Sequence, residues 1–199
     1  MADAFCEMTK LKVECLECRR CSIGGQTVHG RCSNVFSSMN YAAKVMVLGQ
    51  NPGRDEVERG EPFVGVAGEC WDAAVESIGM GRSDFYISNI VKCCISDGRK
   101  PSQEEIDNCR YFLDREMEIV KPRMVVALGG IALKQLTGLG GIMKHHGNPV
   151  FSPRYKTFVF PMLHPSPLSM CEGDNKRMFF EDLQKLKETI ENAEVCVDG

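Results

Sequence analysis

The chain holds 199 residues with a formal net charge of −3, 43% of them hydrophobic and 26% charged, the balance of one globular domain able to bury roughly 70% of its unfolded surface. No apolar run approaches the ~20 residues of a membrane span. The opening "MADAFCEMTKLKVEC" lacks the charged-then-apolar plan of a secretory signal, and slight acidity argues against a whole-surface polyanion binder while allowing a local basic patch. Eleven cysteines are the anomaly. In the reducing cytoplasm where such a chain is expected, clustered thiols serve metal or iron–sulfur ligation rather than disulfides.

Residues 1–41 form a polar, cysteine-rich segment that ends in the loop-like "SNVFSSMNY". "AKVMVLG" follows, a continuous apolar run closed by glycine, as a strand buried on both faces requires. "GECWDAAVESIGMG" reads as a short helix and "DFYISNIV" as a second strand. "PSQEEIDNCRYFLDREMEIVKP" is a longer helix, opened by Ser102 three residues before Glu105 and stopped at Pro122. "RMVVALG" is a third buried strand, "IALKQLTGLGG" a short helix ended by glycines, and "KTFVFPML" a fourth strand. The last helix, "NKRMFFEDLQKLKETIENA", repeats apolar residues with helical period at Met178, Phe179, Leu183, Leu186 and Ile190. Strands alternating with helices predict a single three-layer α/β domain over residues 1–199, a four-stranded parallel sheet with helices on both faces. No internal repeat or linker interrupts it.

In such sheets ligands sit beyond the carboxyl ends of the strands. Four segments meet there: "GQNPGRDEVERGEPF", "SNIVKC", "GGIA" and "HPSPLS". Gly49 and Gly53 permit close backbone approach and Pro52 stiffens the turn; the plain alternative is an ordinary strand-to-helix turn. No P-loop lysine follows, so triphosphate hydrolysis is not expected. Asn89 carries a donor and an acceptor that suit a base edge, or merely a cap. Phe63, in a glycine-flanked loop, offers a stacking face or a core ring. Lys144, His145 and His146, with Arg54 and Arg59, supply positive charge for phosphates or a solvated loop.

Cys15, Cys18 and Cys21 recur at every third position, Cys93 and Cys94 adjoin, and Cys109 lies on the next helix. A CxxC pair with two distant thiols suits tetrahedral zinc or a [4Fe–4S] cluster, and spacing alone does not choose.

Taken in order, "GQNPG…GEPFVGVAG", "YISNIVKC", "CRYFL…IVKPRMVVALG" and "HPSPL" resemble the uracil-DNA glycosylase superfamily, most of all its family-four, iron–sulfur branch, from about Cys18 to the final helix. The resemblance implies a [4Fe–4S] cluster on Cys18, Cys21, Cys93 and Cys109, with Cys15, Cys32 and Cys94 as spare thiols and the first pair open to Cys15. It implies that uracil is flipped out of DNA, stacked on Phe63 and read by Asn89. Gly49 and Gln50 would help to bind it, and Asn51 would orient the attacking water. His164 would donate a hydrogen bond to the uracil O2 as charge builds. Pro165, Ser166, Pro167 and Leu168 would pinch the DNA backbone and fill the vacated space. The expected activity is hydrolysis of the N-glycosidic bond to an abasic site in base excision repair, by a monomer needing neither membrane nor nucleotide cofactor. Where the family shows an acid, Gln50–Asn51 stand instead, which keeps open a slower enzyme, a glycosylase for hypoxanthine or mismatched thymine, or a non-catalytic module that binds uracil or abasic DNA.

Overall fold

The computed structural model describes residues 2–166 and 173–195. In chain order it forms helix α1 (Ala2–Leu16), short strands β1 (Thr27–Val28) and β2 (Arg31–Cys32), strand β3 (Val45–Gly49), and helices α2 (Arg54–Arg59) and α3 (Val66–Glu76). Strand β4 (Phe85–Asn89), helix α4 (Gln103–Val120), strand β5 (Met124–Leu128), and helices α5 (Gly130–Thr137) and α6 (Ile142–His145) follow. Strands β6 (Val150–Ser152) and β7 (Thr157–Met162) and helix α7 (Asp174–Val195) complete it.

The main sheet runs β4-β3-β5-β7-β6. Its first four strands are parallel, as their uninterrupted apolar runs predict, and every residue of β3, β4 and β5 is buried. Alternate side chains feed two cores. Met46, Leu48, Tyr86, Val125 and Ala127 face Met8, Phe112, Leu113 and Leu133 of α1, α4 and α5. Val47, Phe85, Ile87 and Val126 face Trp71 of α3 and Phe179, Leu183 and Leu186 of α7. Three layers result.

The short elements β1, β2, α2 and α6 are additions to the expected set, and two further ones, β6 and α1, change the sheet and the core. Strand β6 makes the sheet five-stranded, pairing antiparallel with β7 from the edge; three residues before a proline carry too short a pattern to announce a strand. The polar segment of residues 1–41 contains the 15-residue α1, which buries Met8, Leu11 and Cys15 along one stripe. Helix α4 opens on the expected capping box, with Ser102 Oγ accepting from the Glu105 N–H (3.2 Å) and Glu105 Oε2 from the Ser102 N–H (2.8 Å). Such a cap contributes about 1 kcal/mol. Among the described residues, no helix is long and apolar enough to cross a membrane.

Candidate active site and cysteine site

The ends of β3, β4 and β7 enclose a cavity of about 290 Å³ whose walls include Asn51, Phe63, Asn89 and His164. Residues from three segments far apart in the chain thus share one space, and "GGIA" is not among the described lining. Gly49 ends β3, and a Cβ there would lie 2.5 Å from the Phe63 ring and 2.6 Å from Asn89 Oδ1, so only glycine lets the ring and the amide stand this close. Asn89 ends β4 and is 4% exposed, and its Oδ1 is buried with no hydrogen-bond partner among the described residues. An acceptor left dry costs about 1–3 kcal/mol. A ligand N–H entering the cavity would recover that cost.

Phe63 holds a left-handed backbone, φ +52°, which costs an aromatic residue about 1–3 kcal/mol and persists only where its surroundings enforce it. Here they do. Arg82 donates from Nη1 to the Phe63 carbonyl (2.9 Å), reaches the Pro62 carbonyl with Nη2, and pairs with Asp72 (3.1 Å). Gly68 of α3 makes room below, where a Cβ would fall 1.9 Å from the Phe63 carbonyl oxygen. The ring lies 5.9 Å from that of His164, tilted by 37°.

The buried Glu56 carboxylate ties the turn after β3 to the aromatic loop. Its Oε2 accepts from the Gly53 N–H (2.7 Å), and its Oε1 from the N–H groups of Val64 (2.9 Å) and Gly65 (2.8 Å). Glu56 and Arg82 escaped the sequence reading. The one local signal was a glutamate at the third position of a helix entered through "NPG", the acid of a capping box.

Asn51 is oriented from both ends: Gln50 Nε2 donates to its Oδ1 (2.8 Å), and its Nδ2 donates to the Pro52 carbonyl (2.9 Å). Gln50 is therefore placed to act on Asn51, and is not among the residues that line the cavity. His164 follows β7 by two residues, and desolvation lowers its pKa below the usual 6.5 although nearby Glu56 opposes the shift. Burial thus favours the neutral imidazole. Gly129, at φ +90° beyond β5, faces the His164 Cβ, 3.5 Å from where a Cβ of its own would sit. Pro165 is buried and Ser166 half-buried, the latter donating its N–H to the His164 carbonyl (2.8 Å). Pro167 and Leu168 lie outside the described residues. Arg54 borders the cavity, while His146 is held through Nδ1 by Asp182 (2.7 Å).

On the opposite side of β4, Cys18, Cys21, Cys93 and Cys109 line a second pocket together with Cys15. Cys93 and Cys109 are buried, Cys18 and Cys21 half-buried. Cys94 is instead packed with Val28, Val35 and Val57, and Cys32 is exposed. No carboxylate or imidazole joins the lining, and the Lys92 N–H points at Cys109 Sγ (3.2 Å). Burial pushes the Cys109 thiol up to about 11 and the Cys15 and Cys93 thiols higher still, so a metal must displace protons to bind. Among the described residues, no three His, Cys, Asp or Glu side chains close on a single point as one ion would require; the thiols surround a space. Five thiols in one lining, with a backbone N–H aimed at one of them, fit a thiolate-held group.

The chain matches the family model described as the uracil DNA glycosylase superfamily over residues 36–187. It is 36% identical over 127 residues to a type-4 uracil-DNA glycosylase of Archaeoglobus fulgidus, covering 63% of this chain and 61% of that one. It is 35% identical over 163 residues to the type-4 enzyme of Thermotoga maritima (80% and 84% of the two chains) and 30% identical over 190 residues to that of Sulfurisphaera tokodaii (91% and 84%). Together with the cavity at the strand ends, these matches show that the chain belongs to the uracil-DNA glycosylase superfamily.

Proposed function

We propose that the protein is a uracil-DNA glycosylase that flips uracil from DNA into the strand-end cavity and hydrolyses its N-glycosidic bond. The unpartnered Oδ1 of Asn89, in a cavity walled by Phe63 and His164, carries this reading. Uracil presents an N3–H donor beside its O4 acceptor, the complement of an amide that offers Oδ1 and Nδ2. Cytosine presents the reverse order and leaves both faces of the amide opposed. Stacking on the Phe63 ring offsets part of the unstacking cost, a few kcal/mol.

As the bond breaks, the sugar becomes an oxocarbenium-like cation and the base an anion. The neutral imidazole of His164 donates a hydrogen bond to the growing charge on O2, a contact stronger in the transition state than in the ground state and worth ~3–4 kcal/mol. Asn51 Oδ1, with one lone pair taken by Gln50, keeps the other for a water proton. A sugar cation this electrophilic needs an oriented water more than a strong base. Pro165 and Ser166 would contact the DNA backbone, and by their place in the sequence Pro167 and Leu168 would serve the backbone and the gap in the stack.

Cys18, Cys21, Cys93 and Cys109 would hold a [4Fe–4S] cluster, with Cys15 behind them in the core of α1. Bound there, the cluster supplies a cross-link among the N-terminal segment, the end of β4 and α4, making residues 1–41 part of one domain with the rest. An excision panel tests the reading: oligonucleotides carrying uracil, hypoxanthine, mismatched thymine or cytosine are incubated with the protein, and abasic sites are cleaved with alkali. Cleavage confined to uracil is expected. Hypoxanthine, whose N1–H and O6 mimic the uracil edge, is the competitor that would redirect the assignment, and no cleavage of any strand would overturn it.

A further inference from the structure

One lysine lies between the two sites and touches both. Lys92 is 1% exposed, and removing an ammonium from water is costly unless each of its donors is used. Here Nζ stands 2.6 Å from Glu116 Oε2 and 2.9 Å from the main-chain carbonyl oxygen of Asn89, with Ser88 Oγ as a third partner. Glu116, itself fully buried, is occupied further by the hydroxyls of Ser88 (3.0 Å) and Ser37, and Ser37 Oγ accepts from Tyr86 OH (2.7 Å). The Lys92 main chain is fastened as well, its N–H to Cys109 Sγ (3.2 Å) and its carbonyl to the Val35 N–H (2.7 Å).

An amide whose Oδ1 has no partner among the described residues owes its aim to packing against Gly49 and to the backbone that carries it. Beyond β4, the N–H groups of Ile90 and Val91 bond the carbonyls of Gly49 and Gln50 (both 2.9 Å), so the chain stays beside the turn after β3. The Asn89 carbonyl points the other way, into the buried network, and Lys92 Nζ meets it there. We propose that Lys92 is a positioning residue for base excision, its ammonium clamping the Asn89 carbonyl so that the side-chain amide is aimed before the base arrives. This rests on the reading of Asn89 as the base-recognising group. Preorganised polar groups avoid reorganising during reaction, so the clamp acts on the step that reads and releases the base, not on DNA affinity at large.

Replacing Lys92 alone strands the Glu116 carboxylate in the core and endangers folding. The test therefore compares Lys92→Met with the neutral pair Lys92→Met/Glu116→Gln, each checked by thermal melting. The folded pair is expected to excise uracil in single turnover about 10- to 100-fold more slowly than the parent, while binding an oligonucleotide with a tetrahydrofuran abasic site within about twofold of the parent. On an Asn89→Ala background the same pair should cost nothing further. Packing alone would lower the melting temperature without separating these readouts. Parental excision by the folded pair, or an undiminished penalty on the Asn89→Ala background, overturns the assignment. A parent that excises no uracil defeats the functional reading instead. The clamp is then judged by binding of a non-cleavable 2′-fluoro-deoxyuridine strand relative to the abasic one, where unchanged preference in the folded pair removes it.

Discussion

The two sites flanking the end of β4 are built on opposite plans. At the strand-end cavity, polar groups are positioned but not all satisfied: Asn89 Oδ1 has no partner among the described residues, and Phe63 is held in a left-handed conformation by Arg82 and Gly68. At the cysteine pocket, thiols line an interior without carboxylates, and burial raises the pKa of three of them. Unfilled hydrogen-bonding capacity suits a ligand that comes and goes, because the vacancy is what the ligand completes. Buried thiols suit a resident group, since the protonated site must be emptied of protons before it fills. Lys92 joins the two by offering its ammonium to one and its peptide N–H to the other.

The sharpest way to break this contrast is at His164. If His164 donates to the developing anion as proposed, His164→Ala leaves the cysteines untouched and excision should fall about 100- to 1,000-fold. The visible absorbance and melting temperature should stay near those of the parent. A loss of absorbance in that variant would mean that the sites are not separable.

Next in size are the cysteines. Cys18→Ser should abolish a broad brown absorbance and lower the melting temperature by roughly 5–10 °C, on the order of 2–3 kcal/mol for a chain this long. Cys15→Ala, on the inner stripe of α1, should keep the colour and lose stability alone. The opposite pattern would exchange the ligand assignment between them. Stoichiometric zinc in colourless parent protein would replace the cluster altogether.

The smallest effect is one of pH. Burial depresses the folded pKa of His164 below its ordinary 6.5. Between those two values the unfolded chain holds a proton that the folded one lacks, so this contribution to stability is complete above 6.5 and declines as pH falls. Its slope is bounded by one proton, about 1.4 kcal/mol per pH unit. Denaturation of His164→Gln between pH 5 and 7 should show a flatter profile than the parent, and parallel profiles would count against an enclosed neutral imidazole.

Much of this architecture is legible along the chain because local pattern is a near-neighbour property. Runs such as "VMVLG" and "MVVAL" declare strands buried on both faces, and Ser102 with Glu105 declares where α4 begins. Glycine-rich turns after those strands, together with the placement of Asn89 and His164 at strand ends, were sufficient to mark the end of the sheet at which these residues share a cavity. Strand β6 was too brief to leave a period. The stripe on α1 was hidden among charges, with Cys15 read for its sulfur and not for its packing.

Only the tertiary structure decided which groups are paired. Glu56, Arg82 and Lys92 look like ordinary surface charges in the sequence, yet two are buried and all three act on backbone atoms of the strand-end cavity. Glu116 lies 24 positions from Lys92 and meets it inside the core. A residue's tendency to form helix or strand is set by its neighbours in the chain, whereas the partner of a buried charge is set by which segments packing brings together. Sequence determined the four parallel strands and the end at which the candidate residues gather; the fold decided which hydrogen bonds aim the side chains there, and which acceptor is left waiting.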